Sequence, residues 1–346
     1  MAYCDAPWGA AEALALPAGI GAKLTLAIAV ASAAIAAHRV SFAQTIETSM
    51  PGEAVFILGD DAPGRTAFYS TAEAYYRASF PRDRLLITRA RSLEEVREIL
   101  QHHGSGRWRR VVLVVHGTAW EGMMLPVHPG GERASYAELL RAAKSGAFPP
   151  VDDERIDADT EWVLESCSLG LRPDYLGAVS KLFGGDDEMR PNVVASRRFV
   201  AYAIAEGDGG AAPRYVRMEL PMASRIVPGP PSAIPADRLE HYVADLRRDI
   251  DADRASSGAG ARWSVVPIRI EASVPATRSA GRSPVELARS EPALREALRG
   301  YNLERGRLAW TWADGPSDSA ERRIVGEATL ILMHADPRGF LNEPLP

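Results

Sequence analysis

The sequence predicts an α/β fold, a mostly parallel sheet flanked by helices, with a C-terminal α+β extension. Three observations carry this. Apolar, β-branched runs alternate with helix-length segments from Glu53 to Ala195. Two of these runs lead straight into reactive side chains: Arg110–Val115 into His116-Gly117, and Glu161–Leu164 into Glu165-Ser166-Cys167-Ser168-Leu169-Gly170. Composition then shifts at Val227-Pro-Gly-Pro-Pro-Ser-Ala-Ile-Pro235, past which a charged helix and longer strand candidates follow. A short apolar run bounded by turn formers reads as a strand buried on both faces. Strands alternating with helices read as a parallel sheet with right-handed crossovers.

The chain begins with a stretch that precedes this pattern. Lys23 is followed by Leu24–Ala37, an apolar run, and Ser41-Phe42-Ala43 supplies a small-x-small cleavage site before Gln44. That order is a secretory signal peptide over residues 1–43. The run of about 14 residues is short of the roughly 20 that span a bilayer; the competing reading is an uncleaved anchor from Ala10 to Ala37. The expected location is secreted or periplasmic, with no membrane partner after cleavage. Cleavage leaves 303 of the 346 residues. Net charge is −5 with scattered basic residues, which gives no face for nucleic acid.

From Glu53 the elements follow in order. Glu53–Leu58 is a strand ending in Gly59-Asp60-Asp61. Phe68, Ala72, Tyr75, Tyr76 and Phe80 keep helical spacing until Pro81. Arg84–Thr88 is a second strand. Ser92 with Glu95 forms a capping box opening a helix through about His102. Next comes the strand ending at His116, then a glycine- and proline-rich loop over Thr118–Gly131 with room for a small hairpin near Met123–Val127. Ser135 with Glu138 opens a helix to Ser145, and an acidic loop precedes the Cys167 strand. Asp174 is expected to cap a helix to about Phe183. Pro191–Ala195 is a further strand, and Phe199–Ala205 an antiparallel edge strand. The expected units are therefore the signal peptide, a catalytic domain over 44–226, a linker and helix over 227–261, and an α+β extension over 262–346. Arg225–Pro235 is an exposed candidate processing site. In the helix from Pro235, Leu239, Tyr242, Val243, Leu246 and Ile250 share one face.

Cysteine usage narrows the chemistry. Of the two cysteines, Cys4 leaves with the signal peptide, so mature protein is expected to carry Cys167 as a lone thiol. A lone thiol in an oxidising compartment is either a buried structural residue or one with a task. Its position favours a task. His116 and Cys167 stand at the carboxyl ends of two strands running in the same sense, where α/β sheets collect their chemistry. The imidazole is the base that turns the thiol into a nucleophile. Gly117, without a side chain, lets its N–H approach a substrate carbonyl and form an oxyanion hole with the N–H of Cys167. His102, His103, His128 and His334 read as surface residues. The sequence has no paired-cysteine or His-Glu-x-x-His spacing, and neither metal nor cofactor is expected.

Strand-His-Gly followed by strand-x-Cys-x-x-Gly resembles the caspase-like (clan CD) cysteine peptidases, which include caspases, metacaspases, legumain, gingipains, separase and bacterial CHAT-domain proteases. His116 precedes Cys167 by 51 residues, close to the caspase spacing of about 50. The succession Val55–Gly59, Ala72–Ala74, Leu86–Thr88, Ser92–Val96, Val111–Gly117 and Val163–Gly170 is most similar to the CHAT arrangement. The resemblance spans roughly Glu53–Ala205; in place of the caspase Gln-Ala-Cys-x-Gly this chain has Glu165-Ser-Cys-Ser-Leu-Gly170. It implies a secreted cysteine endopeptidase acting on protein or peptide substrates. It also implies that Glu165 faces the pocket for the residue before the cut, P1. Metacaspases with an acid there cut after Arg or Lys; legumain-like enzymes with Glu there cut after Asn. Asp60 and Asp61 are expected to assist a cationic P1 unless all three are solvated loop acids.

Three other readings compete. An α/β-hydrolase esterase shares the Val-Val-His-Gly strand but needs glycines where Glu165 and Leu169 stand. A cysteine phosphatase needs Cys-x5-Arg, and Arg172 is one residue too near. A secreted, non-catalytic binding or scaffold protein would keep the fold with a relic dyad.

Overall fold

Alternation of side chains along a strand means that a sheet covered on both faces needs apolar residues at every position. The central strands meet that demand. The computed structural model describes residues 2–3, 52–63, 67–80, 85–185, 190–205, 212–253, 260–292, 294, 295, 298, 307–313 and 321–336. Apart from Ala2–Tyr3 (β1), the expected signal peptide lies outside the described residues. Then come β2 (Glu53–Ile57), α1 (Phe68–Ser79), β3 (Leu85–Arg89), α2 (Leu93–His102) and β4 (Arg110–Val114). A two-residue hairpin, β5 (Gly117–Thr118) and β6 (Gly122–Met123), precedes α3 (Tyr136–Ser145), β7 (Glu161–Glu165), α4 (Pro173–Gly184) and β8 (Asn192–Ala195). The fold is α/β: β3-β2-β4-β7-β8 form an all-parallel sheet, with Ile87, Val55, Val112, Val163 and Val194 in one row across it.

Even and odd positions divide between two cores. Phe56, Leu113, Trp162 and Leu164 meet Leu93, Val96 and Leu100 of α2, Leu139 of α3 and Val179, Leu182 and Phe183 of α4. On the other face Val55, Ile57, Val112, Val114 and Val163 meet Phe68, Ala72 and Tyr76 of α1. Ser92 and Ser135 cap their helices by accepting the N–H of Glu95 and Glu138. The box expected at Ser92 is half formed, because the Glu95 carboxylate takes the N–H of Arg91. The hairpin after His116 starts at Gly117, earlier than expected.

The remaining strands depart from the sequence reading. β9 (Phe199–Ala205) is antiparallel, as expected, but lies in the middle of a separate sheet, between β1 and β10 (Arg214–Leu220). β11 (Met222–Pro228), β12 (Ala261–Pro275), β13 (Ala309–Trp312) and β14 (Glu321–Ala335) make an antiparallel sheet. The long β14 has β12 on one side and β11 and β13 on the other. Val227 and Pro228 thus close a strand instead of opening a linker, and Gly229 remains bonded to Glu327 and Thr329. Arg225, expected in an exposed processing site, is inside β11, paired with Asp245 and 4.9 Å from the Tyr242 ring centroid. α5 (Ala236–Asp253) lays Leu246 and Ile250 on this sheet. Short helices α6 (Ala276–Ser279) and α7 (Pro284–Ser290) follow β12. No helix among the described residues is long and apolar enough to cross a membrane.

Candidate active site

The register of β4 and β7 decides where the two reactive side chains emerge. Val114 lies opposite Glu165 in the last pair, and Val115 N–H donates to Glu165 O at 3.1 Å. His116 and Cys167 each stand two residues beyond that pair, on strands about 4.8 Å apart. Both line one cavity of about 190 Å³ at the carboxyl end of the sheet.

The imidazole is held by α1. Phe68 stacks on it (centroids 4.5 Å, planes 25° apart), and Tyr69 meets it edge-on at 4.8 Å. The Tyr69 hydroxyl accepts the backbone N–H of His116 at 3.2 Å. Burial pushes the Tyr69 phenol up to about 12, so it stays neutral and keeps that acceptor role. Gly59 leaves the room this requires: a Cβ there would fall 2.2 Å from the Tyr69 ring.

Behind Cys167 the chain turns sharply. Ser166 N–H folds back to Leu164 O (3.0 Å), and Ser168 adopts φ 58°, the one positive φ of a non-glycine residue among those described. That conformation is held from two sides. Ser168 Oγ accepts the N–H of Ala119 (3.2 Å), while its own N–H donates to Arg198 O (2.9 Å). Gly170 passes so close to the next loop that a Cβ would lie 2.3 Å from Ala195 O.

Cys167 is 3% exposed, packed with Phe199, Leu220, Leu246, Ile250, Ile331 and Met333, and its Sγ lies 3.8 Å from Val200 O. The sulfur is in a disulfide. The lone thiol was expected of a chain cut after Ala43; in the full chain Cys167 is not a free thiol. The other cysteine of the sequence, Cys4, lies outside the described residues. Any thiolate chemistry at Cys167 therefore requires its reduction first.

Gly117 sits where no side chain fits, since a Cβ would be 2.7 Å from both Gly122 O and Ser166 Oγ. His116 O accepts the N–H of Met124 at 2.7 Å. That fixes Gly117 and Met123 as a non-hydrogen-bonded pair, so the Gly117 N–H lies outside the hairpin ladder.

The expected acidic residues do other work. Glu165 is buried, and both its oxygens lie 2.8 Å from Arg217 Nε of β10; Tyr76 adds a third bond at 3.2 Å. Burial alone would lower the Arg217 pKa, but the Glu165 charge and hydrogen bonds outweigh it and raise the value. Glu165 lines a different cavity from the one at Cys167. Asp60 pairs with Arg89 at 2.6 Å on the surface. Asp61 accepts the N–H groups of Tyr69 and Ser70 at the start of α1. Neither lines the Cys167 cavity.

What does line it comes largely from the C-terminal half: Phe199, Met222, Arg262, Trp263, Leu332 and His334, with Trp120 from the hairpin. His334, expected at the surface, is 9% exposed and stacks on Phe199 at 4.2 Å. No local periodicity announces these residues, because antiparallel pairing over long sequence separations brings them there. Tyr69 was legible in principle, next to Phe68 on a helix whose apolar spacing is plain. Compared with protein-family models, with curated proteins and with solved structures, the chain matches none.

Proposed function

We propose that this chain is a cysteine endopeptidase whose nucleophile, Cys167, is latent while the disulfide of the uncut chain is intact. The observation that carries the reading is the β4–β7 register, which brings His116 and Cys167 to one strand end and one cavity. A dithiol reductant, itself oxidised, returns Cys167 to the thiol. His116 takes the thiol proton, and the thiolate attacks the peptide carbonyl carbon, forming the C–S bond. Gly117 and Cys167 N–H groups receive the oxyanion. As the C–N bond breaks, His116 protonates the leaving amine; it then draws a proton from water, which hydrolyses the thioester and restores the thiol. With Glu165 neutralised by Arg217, the cavity beside Cys167 is walled by Trp120, Phe199, Met222 and Leu332, which suits an apolar residue before the cut.

The test is turnover of fluorogenic peptides varied at P1 by reduced protein. Activity should require pre-reduction and fall at least ~10³-fold in Cys167→Ala. The disulfide itself favours a second reading, a non-catalytic binding protein in which Cys167 is a structural cross-link. No turnover by reduced wild type, with no fast alkylation of Cys167 by iodoacetamide at pH 6, would select that reading.

A further inference from the structure

Cys167 is flanked by two fully buried serines, and both hydroxyl groups meet the hairpin that follows His116. A Cβ on Gly117 would lie 2.7 Å from Ser166 Oγ, and Ser168 Oγ accepts the N–H of Ala119 at 3.2 Å. Contacts two residues apart on one segment thus match contacts two residues apart on the other. The turn that carries the nucleophile and the strand that carries Gly117 therefore run side by side.

The two serines are not equivalent. Ser168 makes a hydrogen bond, whereas Ser166 Oγ finds no partner among the described residues. Ser168 also bears the left-handed backbone, φ 58°, a conformation that a non-glycine residue keeps only when its surroundings hold it there. The amide it grips is held from the other end as well, since Arg172 Nη1 donates to Ala119 O at 3.0 Å. Across the hairpin, Met123 N–H donates to the Tyr175 hydroxyl at 2.9 Å. Arg172 and Tyr175 belong to the start of α4. Of the three holding residues, Ser168 is the one that adjoins the nucleophile.

The Gly117 N–H lies outside the hairpin ladder, and Gly117 lines the Cys167 cavity. An oxyanion hole depends on donors that are fixed in place before charge develops. We propose that Ser168 is the positioning residue of that hole. Its hydroxyl holds Ala119, so that the Gly117 N–H, two residues earlier, keeps its place beside the Cys167 N–H. Arg172 and Tyr175 keep the hairpin on the fold when the hydroxyl is removed, so its loss loosens the hole without unfolding the site. The inference rests on the catalytic reading of His116, Gly117 and Cys167.

The experiment compares Ser168→Gly, Ser168→Ala and Ser166→Ala with wild type, each as the reduced full-length chain. Ser168→Gly removes the hydroxyl and leaves the positive φ unstrained. Every protein is given the fluorogenic peptide that wild type cuts best and, separately, iodoacetamide, which consumes the thiolate and needs no oxyanion hole. In Ser168→Gly kcat should fall about 10- to 100-fold with KM unchanged, short of the loss for deleting a donor outright. Its alkylation rate should equal that of wild type. Ser168→Ala should lose as much kcat and melt below Ser168→Gly, because alanine is strained at this φ. Ser166→Ala, which removes a hydroxyl without a partner, should keep the wild-type kcat. Full activity in Ser168→Gly overturns the inference and leaves the dyad standing. Alkylation that slows in step with kcat also overturns it, because the hydroxyl then acts on the thiol. So does a loss in Ser166→Ala equal to that in Ser168→Gly. A reduced wild type that cuts no peptide overturns the catalytic reading, and this inference with it.

Discussion

Glu165 stands two residues before Cys167, yet its carboxylate is spent on Arg217, 52 residues further along. The side chains are 3% and 25% exposed, so removing one charge strands the other in a poorly solvated place. Glu165→Gln should lower stability by about 2–4 kcal/mol, read by urea denaturation. Cleavage after apolar residues should keep its P1 preference in the surviving folded fraction. A variant of unchanged stability that lost cleavage after Arg or Lys would restore the S1 role. Gly170 is the second residue on which the turn depends. Its Cβ in Gly170→Ala would meet backbone atoms at 2.3–3.0 Å, which cannot rotate away. That variant should lose about 1–3 kcal/mol, the usual range for overpacking, and slow alkylation of reduced Cys167 through the displaced Ser168 turn. Mass spectrometry of the alkylated protein measures the second effect. The meeting of His116, Gly117 and Cys167 at one strand end was legible because strand ends are local signals. The partners of Glu165 and Asp60 were not, because Arg217 and Arg89 reach them only through tertiary pairing.

At the scale of elements, the link between α4 and the hairpin is the informative joint. Asp174 was expected to cap α4, but the helix starts at Pro173 and Asp174 lies in its first turn. It grips Arg172 through two bonds of 2.8 and 2.7 Å, and Arg172 in turn donates to Ala119 O at 3.0 Å. Asp174 thereby orients a buried arginine that holds the hairpin carrying Trp120. The Arg172 hydrogen bonds keep the Asp174 carboxyl below its ordinary value. A depressed carboxylate pKa contributes stability above the unfolded value, near 4, and loses it as pH falls through the folded one. Wild type and Asp174→Asn should therefore differ in Tm at pH 6 and converge as the pH falls through the lowered value of the folded carboxyl. A constant difference across that range would show that the charge is not what matters. The central strands and α1–α3 were legible because each carries its own periodicity, and α2 and α3 their serine caps as well. The α4 start was misread because Arg172, not a small polar side chain, precedes Pro173.

Over the whole molecule, the C-terminal half behaves as a wall of the site. Cys167 shares a core with β9, β10, α5 and β14, and Trp120 shares another with Val266, Ile268 and Leu330. A composition shift at Val227–Pro235 suggested a boundary, since Pro and Gly clusters usually mark one. Here the prolines and Gly229 carry the chain from β11 past the end of the sheet into α5, and the pairing of β11 with β14 reaches across the supposed linker. Sequence cannot show this, because β11 and β14 meet over about a hundred residues and neither strand signals its partner. The consequence is measurable. A chain ending at Ile226 would leave β11 without β14 and strip Leu246, Ile250, Ile331 and Met333 from around Cys167. It should bind a hydrophobic dye and melt without a cooperative transition, in contrast to the full chain. Within the full chain, Trp120→Ala should cost about 3–5 kcal/mol, the usual loss for a large buried aromatic. If the truncated chain instead melts cooperatively and alkylates at Cys167 as fast as the full chain after reduction, the parallel-sheet half is a domain in its own right. The C-terminal sheet would then be an accessory to the site and not part of its wall.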